Sequence, residues 1–476
     1  MLAHATRRDF LKLSALSLAA VTMYESSAAE PAKPSLSGGA IDVWVTNKKV
    51  RCAQSESISW QPASGKAVRE TIALNPASKF QDILGFGAAF TDAACYTLSR
   101  LSADARDQLF HELFHPSQMG LNVCRTCIGA SDYSRNLFSY DEGDPDPELQ
   151  RFSIDHDREY ILPVLRQARA VNPGLFLFSS PWSPPGWMKA GGSMLGGSMR
   201  PRYLASYAQY FLKFLQAYAA AGVPVQAVTP QNEPDTDQDG RMPACIWPQE
   251  HEIAFVSEHL GPLLEKNGMQ TRIWILDHNY NLWGRVLCEL DDPGVRRYCG
   301  GVAWHGYAGE PEMMSKVQAV RPDVGMHWTE GGSDYTSPDY LTDWVRWGKT
   351  FTGVLRNWCR SITGWNLALD EHGQPNIGPF SCGGLVTIQS GTKEVIRSGQ
   401  YWAFAQLSRF IRRGAQRLDS QGALRDLHHV AFQNPGGETV MVISNAGADR
   451  TVNLQLEQKV ADVRLDEDSV TTLLWK

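Results

Sequence analysis

Two glutamates in this chain stand at the ends of apolar runs, in company suited to acid–base work. The first follows residues 225–230, in Gln231-Asn232-Glu233-Pro234. The second closes residues 326–330, in Trp328-Thr329-Glu330, and is followed by Gly331-Gly332. Two carboxyls brought to one place can cleave a glycosidic bond, one donating a proton while the other attacks or activates water. A glutamate alone carries little weight, because surface glutamates are common; position and neighbours distinguish this pair. Adjacent residues on a regular strand face opposite sides. Asn232 and Glu233 can therefore share a site only where the strand is irregular, and Pro234 suits such an ending. Gly331 and Gly332 let the chain turn away from Glu330 without side-chain clash.

The elements that must position these carboxyls can be read from the pattern around them. Between about residues 80 and 411, short apolar runs alternate with helical segments. The runs lie at 83–90, 122–129, 175–182, 225–230, 272–277, 302–307, 326–330 and 362–369. Continuous apolar strands separated by helices read as parallel strands covered on both sides. Eight such units predict an α/β fold, a (β/α)8 TIM barrel. Residues 203–221 show one of the helices: Leu204, Tyr207, Phe211, Phe214, Leu215 and Tyr218 recur at helical spacing, Gly222 stands at the C-cap, and Pro224 blocks continuation. A doubly wound open sheet competes, but no glycine-rich phosphate loop follows an early strand. In a barrel, chemistry sits at the C-terminal ends of the strands, and there Glu233 closes the fourth run and Glu330 the seventh.

The ends of the chain alternate polar and apolar residues instead, within residues 41–79 and again after 412, with turn signals such as Asn434-Pro435-Gly436-Gly437 between them. Residues 30–79 and 412–476 are expected to build a side antiparallel β-sandwich domain from both termini, beside a catalytic barrel at 80–411. Residues 1–29 read as a twin-arginine signal peptide. Arg7-Arg8 precede an apolar stretch at 13–23, and Ser27-Ala28-Ala29 offers a cleavage site. That predicts export to the periplasm or secretion.

Composition is ordinary for a globular chain, with 43% hydrophobic and 20% charged residues. The net charge of −6 leaves no basic face to attract nucleic acid. No apolar run reaches the ~18 residues of a transmembrane segment. Nine cysteines are an odd count for a disulfide framework. Cys124 and Cys127, three places apart on a strand-like run, should face opposite sides as buried thiols rather than form a redox or zinc pair. No metal-ligand spacing or nucleotide motif points to a cofactor.

Larger motifs join the two glutamates. Gly85-Phe86-Gly87-Ala88-Ala89-Phe90-Thr91-Asp92-Ala93, then Ser180-Pro181-Trp182-Ser183-Pro184-Pro185-Gly186-Trp187-Met188-Lys189, then Trp365-Asn366-Leu367-Ala368-Leu369, flank Asn232-Glu233-Pro234 and Glu330 in order. This set resembles glycoside hydrolase family 30, especially its glucosylceramidase (acid β-glucosidase) branch, over nearly all of residues 80–411. The resemblance implies a retaining β-glycoside hydrolase, with Glu233 as acid/base and Glu330 as nucleophile. It also implies that Asn232 binds the sugar 2-hydroxyl and that Arg125 stands beside the nucleophile, where its charge would hold a glutamate ionised. A structural ion pair is a compatible role for Arg125. Asp132, Trp182 and Trp365 match residues lining the subsite for the non-reducing sugar, where indole faces pack on a pyranose ring. Trp274 and Trp475 read as core. His305 and Tyr307 match a histidine and tyrosine at the end of the sixth strand, although a satisfied core histidine remains open for His305.

Two departures bear on the leaving group. The branch carries a tryptophan between those two residues where this chain has Gly306, and the loop Gly331-Gly332-Ser333-Asp334-Tyr335 also differs. The expected substrate is a β-glucoside or β-glucan, with a glycolipid left open. Glucosylceramidase-like β-glucosidase is the leading reading, β-1,6-glucanase or β-xylosidase the alternatives. A non-catalytic carbohydrate-binding protein ranks below them, because it would not need both carboxylates.

Overall fold

Apolar runs without polar alternation need cover on both faces, and the chain meets that demand by rolling the eight central runs into a barrel. The computed structural model describes residues 39–63 and 70–476; the expected signal segment at 1–29 lies outside the described residues. In chain order the barrel strands are β1 (Gly85–Phe90), β2 (Val123–Cys127), β3 (Phe176–Ser180), β4 (Ala227–Val228), β5 (Arg272–Asn279), β6 (Cys299–His305), β7 (Met326–Glu330) and β8 (Cys359–Gly364). Each pairs in parallel with the next, and β8 pairs with β1 to close the ring. The eighth run divides: β8 ends at Gly364, Asn366 turns the chain at φ 47°, and Ala368–Leu369 joins a separate three-stranded sheet. The helix expected at 203–221 spans Leu204–Ala220, with Gly222 beyond it at φ 82°.

Alternate strand residues point into a barrel. Val123, Phe178, Ala227, Trp274 and Ala303 form an apolar floor there, and the Trp274 indole stacks on His327 with centroids 3.9 Å apart. Outward residues such as Cys124, Leu177, Val228 and Ile275 belong to the core under the helices. Cys124 thus faces the outer core, while Cys127 packs with Trp182 and Trp365. All nine cysteines are free.

The side domain is one ten-stranded sheet whose strands come from both ends of the chain. Strands Ala40–Thr46, Ala53–Ser59, Gln61–Pro62 and Thr71–Asp82 interleave with the six strands that follow residue 415. One pair departs from the expected antiparallel pattern: Thr71–Asp82 runs parallel to Arg450–Leu456. It is inserted between two C-terminal strands and continues directly into β1, which sets its direction. The sandwich core takes one face of each strand, including Ile41, Ile72, Met441, Ile443, Leu473 and Trp475. Alternate residues Val440, Val442, Val470 and Leu474 face the other way and join the barrel-side core. This double burial explains why Thr439–Asn445 and Ser469–Trp475 are covered on both faces. Among the described residues, no helix is long and apolar enough to cross a membrane.

The helix Trp344–Arg356 packs on these two strands at Gly348, where an added Cβ would lie 2.4 Å from Ser444 Oγ and 3.0 Å from Val470 Cγ2. Gly348→Leu should therefore overpack the barrel–sandwich contact and destabilise the fold by about 1–3 kcal/mol. Urea unfolding checks this; an unchanged midpoint would mean the two units are not packed this closely.

Candidate active site

The polar layer of the barrel follows from the floor beneath it. Two residues above Val123 stands Arg125, above Phe178 Ser180, above Ala227 Thr229 and above Ala303 His305, as a period of two requires. On β5 the count is three. The register against β6 slips between Leu276 and His278, and Leu276 and Asp277 take φ of 75° and 55°. This bulge returns Asp277 to the interior and leaves His278 at the rim. A second irregularity on β7, between Trp328 and Glu330, turns Thr329 and Glu330 both toward the site. The third is at Glu233 itself, whose φ is 50° beyond the two-residue strand β4. Its N–H donates to the Asp277 carbonyl at 3.0 Å, while Asn232 N–H donates to Pro181 O at 2.8 Å. The irregular strand end expected at Asn232-Glu233 is thus present.

Asp277 is the centre of this layer. Its Oδ2 accepts from Arg125 Nη2 at 2.8 Å, Ser180 Oγ at 2.7 Å and Thr229 Oγ1 at 2.6 Å. Its Oδ1 accepts from Thr329 Oγ1 at 2.7 Å and lies 3.0 Å from His305 Nε2. Burial alone would raise the Asp277 pKa; the charge of Arg125 and the hydrogen bonds from His305 and Thr229 outweigh it and hold the carboxyl well below its usual range. Arg125 also donates through Nη2 to Asn232 Oδ1 at 2.7 Å and through Nη1 to Glu330 Oε2. With Asn232 Oδ1 so engaged, its amide N–H groups are left for the cavity.

The two glutamates have different partners. Glu330 Oε1 accepts from the Tyr307 hydroxyl at 3.1 Å. Glu233 Oε2 accepts from Gln238 Nε2 at 2.9 Å, and its Oε1 lies 3.2 Å from His305 Nδ1 and 3.7 Å from His278 Nδ1. Burial would lower the His305 pKa, but Glu330, Asp277 and Glu233 lift it to about 9, so the imidazole is charged at neutral pH. Burial raises Glu330 against the pull of His305 and Arg125, whereas His305 and His278 overcome burial and hold Glu233 below its usual range.

These groups open onto a cavity of about 440 Å³. Of the residues expected from the sequence, Asp132, Trp182, Asn232, Glu233, Tyr307, Glu330 and Trp365 line it. Arg125 and His305, expected to bind substrate, are fully buried and do not line the cavity. They stand behind its wall because their charges are consumed by Asp277 and the two glutamates, and they act through those groups. Asp132 is buried with Oδ1 unpaired, and burial together with the charges of Glu330 and Glu233 raises its pKa well above the ordinary value. An acceptor left open at a cavity wall suits a sugar hydroxyl. Trp182 and Trp365 stack with centroids 5.0 Å apart beneath the Arg125 guanidinium, 4.6 Å and 5.5 Å from the two rings.

Sequence reasoning passed over Asp277, His278 and Gln238. Asp277 closes the fifth apolar run, so the strand-end reading that found Glu233 could have found it. Gln238 opens a three-residue 3-10 turn, Gln238–Gly240, and the lining residues Phe380 and Cys382 come from loops, none of which a periodicity marks.

Residues 83–411 match the family model described as Glycosyl hydrolase family 30 TIM-barrel domain, and residues 414–473 match Glycosyl hydrolase family 30 beta sandwich domain. Among curated relatives, an endo-1,6-beta-D-glucanase of Neurospora crassa is 32% identical over 404 residues, covering 81% of this chain and 83% of the relative. The lysosomal acid glucosylceramidase of Mus musculus is 28% identical over 401 residues, covering 79% and 78%. Among solved structures, the endo-beta1,6-glucanase BT3312 superposes with a TM-score of 0.82 at 28% identity, over 91% of this chain and 99% of that one.

The layer predicts its own weakest point. Asp277→Asn keeps the side-chain shape but leaves Arg125 with Glu330 as its remaining buried counter-ion, a loss on the order of 3–5 kcal/mol for a broken buried pair. Thermal unfolding and turnover of an aryl glycoside should fall together. Wild-type stability and activity in this variant would show that Asp277 does not organise the layer.

Proposed function

The chain belongs to glycosyl hydrolase family 30, and from that premise we propose that it hydrolyses β-D-glucosidic bonds with retention, Glu330 serving as nucleophile and Glu233 as acid/base. The observation that carries this reading is the pair of carboxyls on one cavity wall system with unlike partners. Glu330 is held by the Arg125 charge and the Tyr307 hydroxyl, which suits an attacking anion. Glu233 shares His305, which suits a group that gives and takes a proton. The pKa directions run opposite to these roles, with Glu233 low and Glu330 raised. The proton the acid needs is then carried on His305 Nδ1, 3.2 Å from Glu233 Oε1, and a shift across that hydrogen bond arms Glu233 as Glu330 attacks.

For the substrate we favour β-1,6-glucan. Beside Tyr307 lies a second opening of about 280 Å³, lined among others by Gly306, Gly332, Asp334, Arg346 and Trp347. A Cβ at Gly306 would sit 2.8 Å from the Trp328 indole, so the glycine keeps this space clear. Charged and aromatic walls on the leaving-group side suit another sugar better than a lipid chain. The glucanase relatives support the same choice. Glucosylceramide hydrolysis is the second reading, favoured by Phe380 and Tyr307, which stand 42% and 48% exposed at the mouth. The twin-arginine segment would deliver the enzyme outside the cytosol, where polymeric glucan is met.

Proton NMR of the first-formed sugar should show the β anomer; an initial α product would exclude double displacement. With azide, Glu330→Gly should give an α-glycosyl azide and Glu233→Ala a β-glycosyl azide; the same anomer from both would reverse the assignment. A panel of β-1,6-glucan, gentiobiose, glucosylceramide and aryl β-glucosides and β-xylosides should show the highest kcat/KM on β-1,6-glucan. Faster xyloside cleavage would sink the gluco reading, and faster glucosylceramide cleavage would promote the second.

A further inference from the structure

We propose that Glu233, His278 and His305 form a site for a borderline divalent transition-metal ion, zinc being the natural probe, and that its occupancy arrests turnover by taking the acid/base carboxylate. One donor atom from each of the three lies within 4.8 Å of the others. Both imidazoles turn Nδ1 toward the same oxygen, Glu233 Oε1, His305 at 3.2 Å and His278 at 3.7 Å. A tetrahedral zinc with bonds of 2.0–2.1 Å separates its ligands by roughly 3.3 Å, so little movement is needed.

The outer contacts favour the same conclusion. A metal-bound histidine usually gives its other ring nitrogen to a carboxylate, which fixes the ring and its tautomer. Here His305 Nε2 lies 3.0 Å from Asp277 Oδ1, and His278 Nε2 lies 2.5 Å from Asp235 Oδ1. Each ring is thus pinned at Nε2 with Nδ1 directed inward. His278 is 6% exposed, and its Nδ1 has no hydrogen-bond partner. That is a buried donor atom aimed at a carboxylate and left open. Gln238 holds Glu233 through Oε2, so Oε1 stays available. Two imidazoles and a carboxylate are a common zinc donor set, with a fourth position here toward the cavity. The carboxylates of Glu233, Asp277 and Glu330, which lie 3.2, 3.0 and 3.9 Å from the His305 ring nitrogens, attract a dication to this place. The ion would occupy the space where Glu233 meets the leaving group. The inference concerns metal binding, so it stands whether or not β-1,6-glucan is the substrate.

The test uses the full chain, stripped with chelator. Equilibrium dialysis should find a zinc ion displaced by an active-site iminosugar, and zinc should inhibit aryl glucoside hydrolysis reversibly on chelation. His278→Gln should lose that equivalent, and Asp235→Asn should weaken it about 10–100-fold. His111→Gln controls for a surface pair, since His111 and His115 lie 4.4 Å apart between ring centroids, and should leave the displaceable zinc unchanged. Should His278→Gln fail to fold, copper(II) EPR of the wild type must show two imidazole nitrogens on an ion that the iminosugar expels. Zinc binding untouched by His278→Gln, lost in His111→Gln, or indifferent to the iminosugar would overturn the proposal, as would no binding.

Discussion

A carboxylate and a guanidinium share the dry interior of the barrel, and the catalytic layer is arranged around that pair. Arg125 and Asp277 are fully buried, 2.8 Å apart. Taking two such charges out of water costs several kcal/mol each, and their attraction offsets this only with good geometry and further hydrogen bonds. The barrel supplies those bonds from five strands or strand ends, β2, β3, β4, β6 and β7, all converging on the one carboxylate that β5 carries. Such a pair contributes little net stability. What it does is make every other arrangement of these side chains unfavourable, because any displaced member leaves a buried charge or hydroxyl without a partner.

The same requirement explains the backbone irregularities. A strict period of two would send Asp277, Thr329 and Glu233 or one neighbour of each away from the axis. The chain instead accepts positive φ at Glu233, Leu276 and Asp277, each on the order of 1–3 kcal/mol above ordinary backbone. Glu233 N–H donating to Asp277 O shows that two of these strained positions hold each other.

How much of this was legible in the sequence follows from where period holds and where it fails. The eight apolar runs mark the barrel because each strand is covered on both faces, and the residues ending the fourth and seventh runs are the two glutamates. Arg125 came from the family resemblance, at the end of the second run. Asp277 ends the fifth run and was open to the same strand-end reading; what the sequence does not mark is its inward direction, which depends on the β5 bulge. His278 gains meaning only from its distance to Glu233, across two strands. The parallel pairing of Thr71–Asp82 with Arg450–Leu456 was hidden for a similar reason, because it joins segments from opposite ends of the chain whose alternation is the same in either direction.

The two sides of the cavity are therefore built under different constraints. Toward the sugar that is transferred, the wall consists of side chains tied into the ion layer: Asn232 to Arg125, Glu330 to Arg125 and Tyr307, and Glu233 to His305. A substitution there unpairs a buried group, so that side resists change. On the side that the proposed function gives to the leaving group, the wall consists of Gly306, Gly331 and Gly332 and the loop beyond them, where Asp334 Oδ1 accepts from Thr336 Oγ1 at 2.7 Å and from Ser381 Oγ at 2.9 Å. These side-chain contacts are exposed, so changing such a side chain leaves no buried charge unpaired. The exception is where a Cβ meets the Trp328 indole, at 306 and 331, so glycine at those positions and tryptophan at 328 must change together. On the proposed reading, this asymmetry leaves the leaving-group wall free to change while the Arg125–Asp277 layer beneath the transferred sugar is held, which is compatible with the glucanase and glucosylceramidase names among similar chains.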